Sequence, residues 1–143
     1  MAKREHLKKL KQGFETWNKW REDNPGILPD LVKTNLRKAD LRKADLREVD
    51  FFEANLRCAN LREADLRKAN LIGTNLFEVD FYRANLLEAN LHGANFSGAN
   101  LREVKCLTLE QLSKVRSLYK AKLDYELKRQ VRKLYPHLLE ESL

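Results

Sequence analysis

PDLVK TNLRK ADLRK ADLRE VDFFE ANLRC ANLRE ADLRK ANLIG TNLFE VDFYR ANLLE ANLHG ANFSG ANLRE: from Pro29 to Glu103 the chain runs through fifteen consecutive five-residue units without an insertion. Each unit is a small residue, Asp or Asn, Leu or Phe, then two variable residues. A period of five fits neither the helical 3.6 nor the strand 2.0. A short fixed repeat instead marks a solenoid, in which every unit buries its apolar side against its neighbours. Residues two apart in extended chain share a face, so the small residue and the Leu/Phe are predicted to point inward and the other three outward. A continuous core one side chain wide needs a turn in each unit. Asp and Asn suit such turns, because their side chains bond nearby backbone groups.

These units resemble the A(D/N)LXX motif of the pentapeptide-repeat family, and the match covers Pro29–Glu103 unbroken. The resemblance implies a right-handed quadrilateral β-helix with four units, or twenty residues, per coil, and hence about four coils. The flanks extend it. Phe14-Glu15-Thr16-Trp17-Asn18-Lys19-Trp20-Arg21, with Asn24-Pro25, looks like the leader of bacterial members. Leu107–Leu112, Ala121-Lys122-Leu123-Asp124 and Tyr135-Pro136-His137-Leu138 look like a C-terminal extension common among them, although Tyr125 stands where a proline is expected.

Length and pattern together predict one domain in three segments: an N-terminal capping helix over residues 1–28, the β-helix over 29–108 and a C-terminal helical cap over 109–143. The capping helix is expected from about Ala2 to Glu22. Its stripe of Leu7, Leu10, Phe14 and Trp17 would plug the solenoid end. At the other end Thr108 and Gln111 form a capping-box pattern. Ala121-Lys122-Leu123 then supplies a last strand-like edge, and Asp124 caps a second helix carrying Leu127, Val131, Leu134 and Leu138.

The net charge of +7 divides unevenly. The repeat block holds twelve basic and twelve acidic residues, residues 1–28 hold seven and four, and residues 104–143 hold nine and five. The solenoid is therefore neutral and its ends basic. Cys58 falls at an outward position, and Cys106 is expected to point inward as buried filler in a degenerate sixteenth unit. The charged N-terminus and the lack of a long apolar run predict a cytoplasmic protein that does not enter a membrane.

Catalysis finds no foothold. His6, His92 and His137 lie in different regions, and no nucleophile motif, phosphate loop or metal-ligand spacing occurs. The chain is expected not to be an enzyme and to carry no cofactor.

On a twenty-residue coil, side chains twenty apart stack in columns, and two outward groups stand out. Arg37, Arg42, Arg47, Arg57, Arg62 and Arg67 form a belt that could bind anions. Val32, Phe52, Ile72, Phe77, Tyr82 and Leu87 form an apolar group that could be an interaction patch. The leading expectation is a non-enzymatic interaction or scaffold module with an unidentified protein partner, open to homodimerisation through its C-terminal helix. Resemblance to the family's gyrase-protecting members implies a DNA-mimicking, topoisomerase-binding alternative. The neutral solenoid opposes it, because a DNA mimic must be strongly acidic. The basic flanks support at most weak, non-specific nucleic-acid binding.

Overall fold

In the computed structural model, which describes residues 3–141, Asp30 bridges Asp50, Asn35 bridges Asn55, Asp40 bridges Asn60 and Asp45 bridges Asp65. The same parallel pairing climbs without a break to Asn85 and Lys105. Four bridged columns for each twenty residues make a four-sided coil. We number its sides by their first core residues: Leu31 on the first, Leu36 on the second, Leu41 on the third and Leu46 on the fourth.

The side-chain turn bond recurs in all fifteen units and the backbone turn bond in all but the last, Ala99–Glu103. The Asp or Asn side-chain oxygen accepts the N–H two residues on, at 3.0–3.3 Å. The core residue's carbonyl then accepts the N–H three residues on, as Leu36 does from Ala39 at 3.1 Å. Such a turn needs a left-handed third residue, and the fifth residue of every unit has φ between 52° and 71°. Twelve of these fifteen are not glycine. Each costs about 1 kcal/mol or more of backbone strain, which the ladder offsets: the Lys38 N–H, for example, donates to the Arg57 carbonyl at 2.9 Å. None is β-branched; they are Lys, Glu, Arg or Cys. At Gly98 crowding adds to conformation, because a Cβ there would lie 3.0 Å from Cγ of Glu78.

Inside, the Leu and Phe side chains stack in four columns and are almost fully buried, as are nearly all the small residues between them. Phe81 and Phe96 meet with ring centroids 5.5 Å apart. The two buried threonines are satisfied, Thr34 donating to the Leu31 carbonyl at 2.8 Å and Thr74 to that of Phe51 at 2.9 Å.

The N-terminal flank is two helices where one was expected. α1 (Arg4–Lys11) and α2 (Phe14–Asp23) break at Gly13, whose φ of 104° no helix accommodates. Ala2, the expected first residue, lies outside the described residues. The break lets Leu10 of α1 and Trp17 of α2 both bury against the first coil.

At the far end two expectations need correction. Cys106 is exposed with φ of 60°, because Lys105 still bridges Asn85 but the chain then turns away from the core. Leu112 of α3 (Leu109–Leu112) supplies the buried side chain instead, behind the expected Thr108–Gln111 capping box. The detour adds two residues, so Asn95 pairs with Ser117 and Asn100 with Lys122. This brings in a unit that the sequence pattern hid. Arg116-Ser117-Leu118-Tyr119-Lys120 has a fully buried Leu118, a left-handed Lys120, and a Ser117 hydroxyl that accepts the Tyr119 N–H at 3.1 Å.

Ala121-Lys122-Leu123 forms the last edge, followed by α4 (Tyr125–Leu134) and a 3-10 turn over Pro136–Leu139. The second correction concerns Asp124. Its side chain does not cap α4 but accepts the Glu103 N–H at 3.1 Å, tying the cap to the coil below. Val131 and Leu138 are buried and Leu127 packs on the core, while Leu134 faces outward at 55% exposure.

Candidate interaction surfaces

Most of the arginine belt is already engaged. Arg42, Arg47 and Arg67 each fork onto the carboxylate two residues earlier, with closest contacts of 2.8, 2.7 and 2.6 Å to Asp40, Asp45 and Asp65. This local fork follows from the unit, which puts the acid and the residue after the core position on one outward face. The hydrogen bond from Arg42 holds the Asp40 carboxyl below its ordinary value. Burial pushes the Asp45 carboxyl up, but Arg47 and Arg21 more than reverse it and leave it low. Arg62 reaches Asp80 in the coil above at 3.0 Å. Among the described residues, Arg37 has no carboxylate within ion-pair distance.

The apolar group does not gather on one surface. Val32, Phe52 and Ile72 stack on the first side, while Phe77 lies on the second, Tyr82 on the third and Leu87 on the fourth, spaced as the bridge columns dictate. Two of them are roofed. The Arg57 guanidinium sits 4.6 Å from the Phe77 ring centre, and Arg62 sits 4.6 Å from that of Tyr82. Belt and patch are thus partly one structure, coil-two arginines laid on coil-three rings. Phe52 carries no such cation among the described residues. Val32, Phe52 and Ile72 are half-buried and lie outside the apolar side chains packed on the core.

The model of the family described as pentapeptide repeats matches in eight copies spread over residues 30–103. The chain belongs to the pentapeptide-repeat family. A pentapeptide repeat protein from the cyanobacterium Cyanothece 51142 is similar at 38% identity over 67% of this chain and 60% of its own, with a TM-score of 0.54. One from the Arabidopsis thaliana thylakoid lumen is 28% identical over 66% of this chain and 57% of its own (TM-score 0.39). One from Nostoc is 26% identical over 72% of this chain and 91% of its own (TM-score 0.40). The chain therefore spans about 60% of the length of the first two relatives. No curated protein sequence matches it. Pentapeptide-repeat proteins form right-handed quadrilateral β-helices, and the four bridged columns seen here match the four sides of that coil.

In this pentapeptide-repeat chain Trp17, expected in the plugging stripe, is fully buried, and polar side chains outside that stripe also seat the N-terminal cap. The Trp17 indole donates to the Asp45 carbonyl at 2.7 Å, and Arg21 forks onto the carbonyls of Asp45 and Arg47, both at 2.8 Å. Asn18 accepts the Asp45 N–H at 2.7 Å and donates to the Lys43 carbonyl at 3.0 Å. His6 is buried, with Nδ1 accepting the Asp30 N–H at 2.9 Å. Burial, aided by Lys3, holds its pKa below the usual histidine value, so it is kept as the neutral acceptor that this bond requires. His6 appeared in the sequence only as an isolated histidine. Trp17 stood in the sequence as part of the plugging stripe, whereas Asn18 and Arg21 lie beside it on α2 with no target that periodicity shows.

Among the described residues no group of His, Cys, Asp and Glu is placed to hold a metal ion, and no helix is long and apolar enough to cross a membrane.

Proposed function

We propose that this chain is a non-enzymatic protein-interaction module whose partner-facing surface is the first side of the solenoid. The observation that carries it is the column Val32–Phe52–Ile72. These half-buried side chains stand on a rigid ladder, and among the described residues Phe52 carries no cation over its ring, unlike Phe77 and Tyr82. Apolar side chains gathered on a surface in this way mark interaction sites. Pentapeptide-repeat proteins are generally structural or interaction modules, which supports the reading. The DNA-mimic alternative needs a net acidic face. Here Arg42, Arg47, Arg62 and Arg67 neutralise Asp40, Asp45, Asp80 and Asp65.

The test is co-purification with the wild type and with a Phe52→Ser/Ile72→Ser double variant, after matched thermal melts show that the variant is folded. A partner held by the wild type and lost from the variant supports the reading; the same partner set with both overturns it. A homodimer through α4 would have to use its outward Tyr125 and Leu134. Sedimentation of the wild type against Leu134→Lys decides that separately.

A further inference from the structure

The N-terminal end of the solenoid is closed fully on one of its four sides and in part on another. Along its lower edge each side of the first coil presents one N–H and two carbonyls that have no coil beneath them. On the first side, the Asp30 N–H and carbonyl are taken by His6 and the Lys3 N–H, while no protein group among the described residues meets the Val32 carbonyl. On the fourth, the Asp45 N–H and the carbonyls of Asp45 and Arg47 are taken by Asn18, Trp17 and Arg21. On the second and third sides no protein group among the described residues meets the N–H and carbonyl of Asn35, the Arg37 carbonyl, the N–H and carbonyl of Asp40, or the Arg42 carbonyl. The core beneath is nevertheless shut, with Leu36 and Leu41 only 2% exposed. What stays open is backbone.

That edge floors a groove of about 680 Å³, walled by the α1–α2 turn from Leu10 to Phe14 and running along Asn35–Leu41. Its charge is one-sided. Lys11, Arg37 and Lys38 line it, its one acid, Asp40, is held by Arg42, and Arg4 and Lys8 of α1 continue the basic rim.

We propose that this half-open edge is a strand-addition site, which takes an extended acidic peptide segment of a partner protein as an extra rung beneath the first coil. It uses a different surface from the first-side column and does not depend on it. Three features choose the occupant. The edge offers more carbonyls than N–H groups, so its ligand must bring backbone donors of its own, as an extended polypeptide does. A phosphate backbone brings only acceptors. The cations on the rim select acidic side chains. A second copy docking head to head would set Lys11, Arg37 and Lys38 against the same residues. Head-to-tail stacking is opposed by the C-terminal cap, because the Leu118 N–H of the last rung already donates to the Leu138 carbonyl at 2.7 Å and Val131 and Leu138 are buried.

The experiment titrates full-length protein with a fluorescent peptide alternating Glu and Val, alongside its Lys-for-Glu counterpart and a copy N-methylated on the backbone edge that would pair. Amide NMR reports the site. The Glu peptide is expected to shift Asn35 and Asp40, the N-methylated and Lys peptides to fail, and an Arg37→Glu/Lys38→Glu variant to bind about tenfold more weakly. Both residues are exposed and glutamate already occupies the equivalent left-handed position at Glu48, so this variant keeps its fold. Four results would each overturn the proposal: no binding of the Glu peptide, undiminished binding of the N-methylated copy, self-association that protects Asn35 and Asp40, or displacement by duplex DNA at physiological salt.

Discussion

Trp17 is the keystone of the N-terminal closure, and replacing it tests whether that closure holds the solenoid together. Its side chain is fully buried, lies 5.1 Å from the Trp20 ring, and donates to the Asp45 carbonyl at 2.7 Å. Truncating a buried Trp to Ala costs about 3–5 kcal/mol through lost burial and the cavity left behind. Trp17→Phe keeps most of the packing and loses the hydrogen bond. Arg21 still donates to the same carbonyl at 2.8 Å, so no acceptor is orphaned and the loss is about 1 kcal/mol. Against a total stability of about 5–15 kcal/mol, the Ala variant should be severely weakened and the Phe variant mildly so. Urea unfolding followed by Trp20 fluorescence, which reports the cap, and by circular dichroism, which reports the coils, measures both. In the Ala variant the fluorescence transition should move first, and light scattering should rise as the first-coil edge is exposed. An Ala variant within about 1 kcal/mol of wild type on both probes would refute the reasoning, since that is the scale of an ordinary surface change.

The left-handed fifth position predicts that Lys68→Ile loses about 1–2 kcal/mol while Lys68→Gly stays near wild type, read from paired chemical melts. His6 carries a pH dependence with a definite sign. Its folded pKa lies below the unfolded value, so its contribution is complete above about pH 6.5 and drains away as pH falls further. Melting temperatures at pH 7.5 and 5.5 should therefore drop more for wild type than for His6→Ala. Equal drops would place the titration elsewhere. Removing the capping box with Thr108→Ala should cost about 1 kcal/mol in the same melts, because the Gln111 N–H loses its 3.1 Å acceptor.

The solenoid was legible in the sequence because one rule generates it. The core residues, the Asp/Asn turns and the outward columns all follow from five-residue spacing, and each is where that spacing puts it. The rule fails where the chain changes geometry without changing chemistry much. Arg116 and Ser117 replace Ala and Asn in a unit that still turns and bridges, so pattern matching passed over it. Cys106 holds a core slot in the pattern, yet it turns outward because α3 delivers Leu112 there instead. Surface readings failed for a different reason. Columns predict which side chains stack, but not that Arg57 and Arg62 would lie on Phe77 and Tyr82, since that choice belongs to rotamers and not to register. The half-closed end was invisible for the same reason as the Gly13 break: it depends on how two helices pack, and periodicity carries no information about that.

Residue-resolved hydrogen exchange on the intact protein tests the account most directly, because it reads the ladder and its open end together. Protection should recur every five residues, with Leu31, Lys33, Leu36 and Lys38 slow. The amides of Asp30 and Asp45, bonded to His6 and Asn18, should also be slow. Asn35 and Asp40 should exchange near the rate of an unstructured chain. Slow exchange at Asn35 and Asp40 equal to that at Asp30 and Asp45, or protection without the five-residue recurrence, would contradict it.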